Sequence, residues 1–421
     1  MGGGLLQIVA YGAQDLYLSG NPQITFFIAV YRRHTNFAIE SIQQTFNGSP
    51  NYNSRVTCTI ARNGDLIHRV YLAVDLSNAS TSDVFCKFYG LRLLNYVEVE
   101  IGGQKIDKHY SHWMYIWNEL SLPKSKKQGY YDMVGAYGGT TASGNMQKNL
   151  YIPLEFWFCR NVGLALPLIS LQYHEVKINI NFETKDKCKG SSADFTGTFA
   201  ASLWVDYIFL DTDERRRFAQ LSHEYLIEQV QYNGQERIQN EQMKPKLTFN
   251  HPCKELYWFV TTTCTDQYDT NNNWMNYTVD ANDSSNKISS TDTTEAKIKA
   301  KLAPSATSNK NHISSAKLVL NGNDRFAQRN GSYFNLVQPF QHHENVPMNA
   351  GLNVYSFALK PEEHQPSGTL NMSRIDTAIL NLTMSKATSV YTSGTYNFNV
   401  FAVNYNVLRI MSGMGGIAYS N

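Results

Sequence analysis

The sequence predicts an all-β chain made of two tandem β-sandwiches. Three observations predict it. Apolar and polar residues alternate with a period of two through short stretches separated by turn residues, helical periodicity is scarce in the first half, and the second half repeats the order of the first. At 421 residues the chain is too long for one ordinary core, which also points to two domains.

Residues 1–20 are glycine-rich with short apolar words (Leu5, Leu6, Ile8, Val9) and read as an arm. Asn21-Pro22 has the form of an N-cap followed by proline at the first helical position. Ile24, Phe27, Ile28 and Tyr31 follow at helical spacing, so a short helix is expected to complete an arm region over 1–31. The period then becomes two, at Phe37 and Ile39, through Val56 to Ile60, from Arg69 to Asp75, and from Leu94 to Ile101, where Gly102-Gly103 marks a hairpin turn. Residues 121–149 are polar and glycine-rich and read as a long loop. Strand signals resume over Tyr151–Phe158, alternate over Tyr173–Phe182 and end in the apolar run Leu203–Leu210, giving a first sandwich over 32–211. Asp211 with Glu214 resembles a capping box, and Phe218, Leu221 and Tyr225 sit at helical spacing, so 212–232 reads as a helical connector. The run Arg215–Arg217 reads as a solvated or salt-bridged helix face rather than a phosphate site.

The second sandwich, 233–410, repeats the first. Val70–Val74 matches Leu256–Val260 at an offset of 186, Val97–Gly102 matches Lys317–Gly322 at 220, Tyr151 matches Tyr355 at 204, and Val205–Leu210 matches Val403–Leu408 at 198. Each match is weak alone, and their colinear order carries the inference. The offsets drift because the polar stretches 121–149 and 265–313 differ in length. Long loops on rigid sandwiches suit surface display or partner contact. Residues 411–421 are left as a tail.

Composition excludes several classes. With 37 Lys+Arg against 35 Asp+Glu, the net charge of +2 gives no concentrated basic surface for nucleic acid or anionic membrane. Aromatic content of 13% rules out wholesale disorder. The six cysteines are scattered without a CxxC pair and read as free thiols. No apolar run has the length of a membrane helix, no secretory signal is expected at the start, and Leu6 stands where myristoylation wants Ser or Thr.

Site-like clusters are few, and each has a plainer reading. His342-His343-Glu344 lies in a proline-bounded stretch, and adjacent residues of an extended segment face opposite ways. His109 and His112 sit among Trp113, Tyr115 and Trp117, which suggests packing. His251 and Cys253, with Cys264, lack a complete zinc set. Asp211 and Asp213 form no pair placed for catalysis, and neither a nucleophile elbow nor a phosphate-binding loop is present. No catalytic residue, metal or cofactor is expected. Seven Asn-x-Ser/Thr words occur among 39 asparagines, and Asn276 and Asn282 are the candidates for glycosylation on an exposed loop.

Several longer motifs run from the arm to near the end: Gly4–Leu16, Asn21–Phe27, Tyr31–Phe37, Phe158–Leu168, Leu171–Val176, His223–Gln229, Tyr355–Pro361 and Ser367–Asp376. In combination they resemble the major capsid proteins of nucleocytoplasmic large DNA viruses. Val162-Gly163, after Arg160-Asn161, is a small departure from the pattern of relatives. The resemblance implies a double jelly roll, two eight-stranded sandwiches per chain. It also implies a homotrimer forming a pseudo-hexagonal capsomer, and capsomers tiling an icosahedral shell around an internal membrane. Implied partners are neighbouring capsomers, minor capsid proteins and the internal membrane surface, reached through the arm, with no sequence-specific nucleic-acid binding. Asn21, Pro22, Phe27 and Tyr31 are the expected base contacts, and the place is the virion, assembled in host cytoplasm. A scaffold or minor capsid paralogue of the same fold is the alternative, and a glycan-binding or glycan-cleaving sandwich, resting on fold analogy, is a more distant one.

Overall fold

The period-two stretches become strands facing one another in two sandwiches. The structure is a computed structural model describing residues 3–141, 146–191, 196–262, 272–279, 287–304, 309–386 and 396–419. The first sandwich contains β1 (Phe37–Gln44), β2 (Arg55–Thr59), β3 (Leu66–Asp75), β4 (Leu94–Ile101), β5 (Gln104–Tyr110), β6 (Asn149–Leu154), β7 (Leu166–Pro167), β8 (Val176–Phe182) and β9 (Ala200–Leu210). One sheet has the order β1-β9-β3-β6, with β7 beside β3, and the other β2-β8-β4-β5. Gly102 and Gly103 turn β4 into β5 with φ of 58° and 86°, the left-handed pair that a tight hairpin requires.

The second sandwich contains β10 (His223–Arg237), β11 (Gln242–Met243), β12 (Lys246–Leu247), β13 (Pro252–Thr262), β14 (Ile313–Leu320), β15 (Asn323–Asp324), β16 (Arg329–Asn330), β17 (Asn353–Ser356), β18 (Leu370–Asn371), β19 (Ala378–Met384), β20 (Tyr396–Met411) and β21 (Met414–Ile417). Its sheets run β10-β20-β13-β17 and β11-β19-β14-β15, the short strands adding at their ends. Each sandwich therefore interleaves two four-stranded sheets in the same order, the topology of a jelly roll, and the chain is a double jelly roll.

Several expectations are corrected. Residues 21–31 are not helical: Asn21 has φ 50°, left-handed instead of the extended geometry of an N-cap, and Phe27 and Tyr31 are exposed. The arm's helices lie earlier, at Gly3–Val9 and Leu16–Ser19, in a unit of its own over Met1–Phe37. The stretch read as a loop over 121–149 carries the end of one helix, Ser111–Ser121, and all of another, Lys124–Val134. The first is buried on almost every side, so no polar face marks it as a surface helix. In 265–313 a helix runs Glu295–Leu302, with the Thr294 side chain accepting from the Lys297 amide. Strand β6 stops at Leu154, and Trp157–Arg160 is a helical turn. The connector helix spans only Thr212–Gln220, because Leu221 turns extended and β10 starts at His223. The tail contains β21, a hairpin return onto β20.

Candidate functional site: the seam between the rolls and the faces left open

The two rolls meet where the outer face of β10-β20-β13-β17 lies against the first roll. Strand β13 is buried on both faces from Cys253 to Thr261. Leu256, Trp258 and Val260 point into the second roll's own core. Tyr257 and Phe259 point the other way and join the core cluster of the first roll, together with Phe401 and Val403 of β20. The covering side chains come from the end of β5 and the helix after it. Trp113 meets Tyr257 edge-on at 5.1 Å, His112 lies 5.4 Å from Phe259, and Tyr110 packs 5.0 Å from Tyr232. Polar pairing fixes the register: Asp107 accepts from the Val230 amide at 3.0 Å, and the Gln229 amide donates to the Ile106 carbonyl.

A chain of buried charges crosses the same seam. Arg160 of the first roll meets Glu228 at 2.8 Å, and Lys254 holds the other Glu228 oxygen at 2.7 Å. Lys254 is fully buried and also donates to the Pro361 carbonyl at 2.6 Å. The Arg160 guanidinium stacks 4.1 Å over Trp117. His343 sits between Glu255 at 2.6 Å and Glu362 at 2.7 Å, while Tyr257 donates its hydroxyl to the second Glu255 oxygen. Burial works against a charged imidazole, but the two carboxylates outweigh it and raise His343 to about 9. This is a cation held by anions, not a neutral ligand presented to a metal. The neighbouring His342 turns away to the Leu359 carbonyl. His112 is the opposite case, pushed down to about 3 by burial and by Arg92, with Tyr277 bonded at 2.9 Å. Among the described residues no group of three His, Cys, Asp or Glu side chains is placed to hold a metal.

A second tie joins the first roll to the insertion between β13 and β14. Lys87 donates to the carbonyls of Tyr137 at 2.5 Å, Asp292 at 2.8 Å and Ser290 at 3.4 Å. Burial lowers this lysine to about 8, against the pull of Asp292. Trp274 donates to the Lys87 carbonyl at 2.7 Å, and Asn272 donates to Gly190 at 2.9 Å.

The abundant asparagine has a structural use that composition alone did not reveal. Thirteen of the described asparagines are buried, and several of them turn their amides to main-chain carbonyls of irregular segments. Asn335 donates to the carbonyls of Asn349 and Leu352, and Asn345 to those of Leu120 and Leu122. Asn276 belongs to this group. It is 1% exposed, donates to Asn273 and accepts from Thr278, so the exposed-loop expectation for it is corrected. Asn282 lies outside the described residues. In the arm, Asn21, Pro22, Phe27 and Tyr31 are all exposed, the last two at 95% and 91%.

Other surfaces hold satisfied charges. A cavity of about 520 Å³ opens beside Arg62, Asp65 and Arg215, but Arg215 pairs with Asp65 at 3.0 Å and Arg62 donates to the Leu171 carbonyl. Asp211 accepts from the Thr212 amide at its helix start, and Glu214 faces Arg217. No helix among the described residues is long and apolar enough to cross a membrane.

Comparison with known proteins gives a consistent match along the whole length. Residues 25–211 match the family "Major capsid protein N-terminus", and residues 214–416 match "Large eukaryotic DNA virus major capsid protein". The major capsid protein of Pyramimonas orientalis virus is 52% identical, with all of both chains covered. That of Paramecium bursaria Chlorella virus 1 is 44% identical over all of both chains. The solved PBCV-1 VP54 superposes with a TM-score of 0.80 at 40% identity, covering 94% of this chain and all of that one. The Faustovirus major capsid protein, at 15% identity and a TM-score of 0.72 over 95% and 94% of the two chains, shares the fold.

Proposed function

The chain belongs to the major capsid proteins of large eukaryotic DNA viruses, and from that premise we propose that its working unit is a homotrimer acting as a pseudo-hexagonal capsomer. It is a structural protein of the virion shell and not an enzyme. The observation that carries the capsomer reading is the repeated roll. Two like sandwiches per chain, repeated three times, make six similar walls from three chains, a block that tiles a nearly flat facet. Light scattering on the purified chain should give about 143 kDa, three times the chain mass of 47.8 kDa, independent of concentration. A folded monomer at high concentration would overturn the trimer.

The arm is proposed to work at the capsomer base. Its apolar side chains, including Phe26, Phe27 and Tyr31, are exposed in the single chain, which supports contact with minor capsid proteins or the internal membrane surface. Assembly in the host cytoplasm is part of the same proposal. Deleting residues 1–20 should leave trimers intact and reduce shell assembly, scored by particle yield; loss of trimers would refute this placement of the arm.

A further inference from the structure

Two of the buried cysteines stand opposite each other in the first roll. Residues 84–86 and 188–190 run antiparallel. The Gly190 amide donates to the Val84 carbonyl at 2.7 Å, the Cys86 amide donates to the Cys188 carbonyl at 3.1 Å, and Phe85 is bridged to Lys189 between them. That register makes Cys86 and Cys188 direct partners across the ladder. Direct partners point their side chains to the same face, and hydrogen-bonded ones have Cα atoms about 5.5 Å apart. A disulfide spans Cα separations of about 4.4–6.8 Å, so the two positions fall within its reach.

The pair is held in place from both sides. The Phe85 amide and carbonyl exchange hydrogen bonds with Gly139 at 2.8 and 2.9 Å, so a third segment flanks the ladder. Glycines let the segments close up. A Cβ on Gly190 would lie 2.5 Å from the Phe85 carbonyl oxygen, and one on Gly138 would lie 2.7 Å from that of Cys86. Phe88, two residues on, is buried and held in the left-handed region at φ 50°, where a bulky side chain is strained. The surrounding structure therefore over-determines the path of residues 85–88.

Both thiols are wholly buried, beside the Tyr52 and Tyr89 hydroxyls, which bond each other at 2.8 Å. Burial raises the Tyr89 hydroxyl, and Tyr52, Cys188 and Cys86 raise it further, which sets both sulfurs around one point. The charged chain across the seam uses neither thiol. We infer that Cys86 and Cys188 form a disulfide that latches the first roll where the second roll's insertion ties on. Lys87, next in the chain, carries that tie through the Asp292 and Ser290 carbonyls. The bond would close the chain from Cys86 to Cys188 into one ring that contains β4 to β8.

The oxidant is a small-molecule disulfide such as oxidised glutathione. One protein thiolate attacks a sulfur of it, forms a mixed disulfide and releases one glutathione thiolate. The second protein thiolate attacks the protein sulfur of the mixed disulfide and releases the other. Two protein thiols are oxidised, two electrons pass to the small disulfide, and the two protons end on the two released glutathiones. Burial pushes Cys86 up to about 12 and Cys188 well above its ordinary value, so the folded pair offers little thiolate. Exchange therefore runs while the chain folds or opens locally, and the closed bond is then shielded from reductants. Both thiols lie within one roll, so the inference stands apart from the trimer reading.

The test refolds the full reduced chain in two buffers, one with oxidised and reduced glutathione and one with dithiothreitol. Free thiols are then alkylated, and an unreduced digest is mapped by mass spectrometry. The glutathione-refolded chain should show Cys86 and Cys188 in one linked peptide pair and the other four of the six cysteines alkylated. Its thermal midpoint should lie about 5–10 °C above that of the dithiothreitol-refolded chain. Cys86→Ser and Cys188→Ser should each unfold at the same midpoint in both buffers. Where refolding yields no native chain, the natively purified chain is held with oxidised glutathione in urea below its unfolding transition, and the same map applies. Both cysteines alkylated in a chain with native circular dichroism, or either one linked to a different cysteine, would overturn the bond. A linked pair without a shift in midpoint would overturn the latch.

Discussion

Two sheets of the same topology carry different side-chain patterns on their outer faces, and the difference reports what covers each. Strand β13 reads Leu-Tyr-Trp-Phe-Val over Leu256–Val260 because it is buried on both sides. Strand β3, its counterpart, alternates: Val70, Leu72 and Val74 face the core, and Arg69 and Asp75 face out. A continuous apolar run in an antiparallel strand marks a face closed by something beyond its own sandwich. By that measure β3 is intermediate, alternating like an open strand yet carrying Tyr71 outward.

The largest effects should come from opening the closed face. Trp113→Ala removes the ring set against Tyr257 and leaves a cavity in the seam; a loss of about 3–5 kcal/mol is expected in urea unfolding. Glu228→Gln strands two cations, one fully buried, and should cost a similar amount, about 3–5 kcal/mol. Replacing Glu228, Arg160 and Lys254 together by apolar residues should recover much of it, since a buried ion cluster is harder to break than to replace. If Glu228→Gln unfolds at the wild-type midpoint, the charges do not hold the seam.

The seam should also respond to pH. His343 is raised from its ordinary 6.5 to about 9 in the folded chain, so the fold binds a proton that the unfolded chain releases earlier. Its contribution is complete below pH 6.5 and fades as pH rises to about 9. It is on the order of 3 kcal/mol, from the size of the shift. His343→Gln should therefore destabilise the chain at pH 6 and match the wild type above pH 9.5. Equal destabilisation at both pH values would show that the imidazole is neutral and only fills space.

A smaller effect is expected at Asn335, which lies in the helical segment that precedes β17. Asn335→Ala leaves the Asn349 and Leu352 carbonyls without its amide and should cost about 1–3 kcal/mol. Because the residue is buried, a thermal shift should accompany any loss of trimer. Weakened trimers without a thermal shift would place Asn335 at the surface.

Much of this architecture was legible in the sequence. Alternation at Arg69–Asp75 and Leu94–Ile101, the Gly102-Gly103 turn and the colinear repeat predict strands, hairpin and duplication, and all three appear. What misled was periodicity without context. Ile24 to Tyr31 has helical spacing, but Asn21 is left-handed and Ile24, Phe27, Ile28 and Tyr31 are all exposed. Trp113, Tyr115 and Trp117 are spaced by two and yet helical, because that helix is buried all round. The repeat read from the sequence differs from the ladders by small shifts of register. The ladders align Trp204 with Phe401, one residue from the sequence match, and Tyr355 points inward while Tyr151 points out. The seam itself was hidden, since Arg160, Glu228, Lys254 and His343 come from four separate segments with no spacing to connect them.

The smallest effect is the most informative about the comparison. Trp204→Ala should cost less than Trp113→Ala in urea unfolding, about 1–2 kcal/mol, because its ring is only partly buried and stacks on Tyr71 at the outer face of its sheet. Trp113→Ala should show the full cost of a buried ring, because the first roll covers Tyr257 within one chain. Trp113 lies in the closed seam and Trp204 on an uncovered sheet face, so their costs should separate. Equal costs would mean that Trp204 is as covered as Trp113, and the distinction between a closed and an open face would fail.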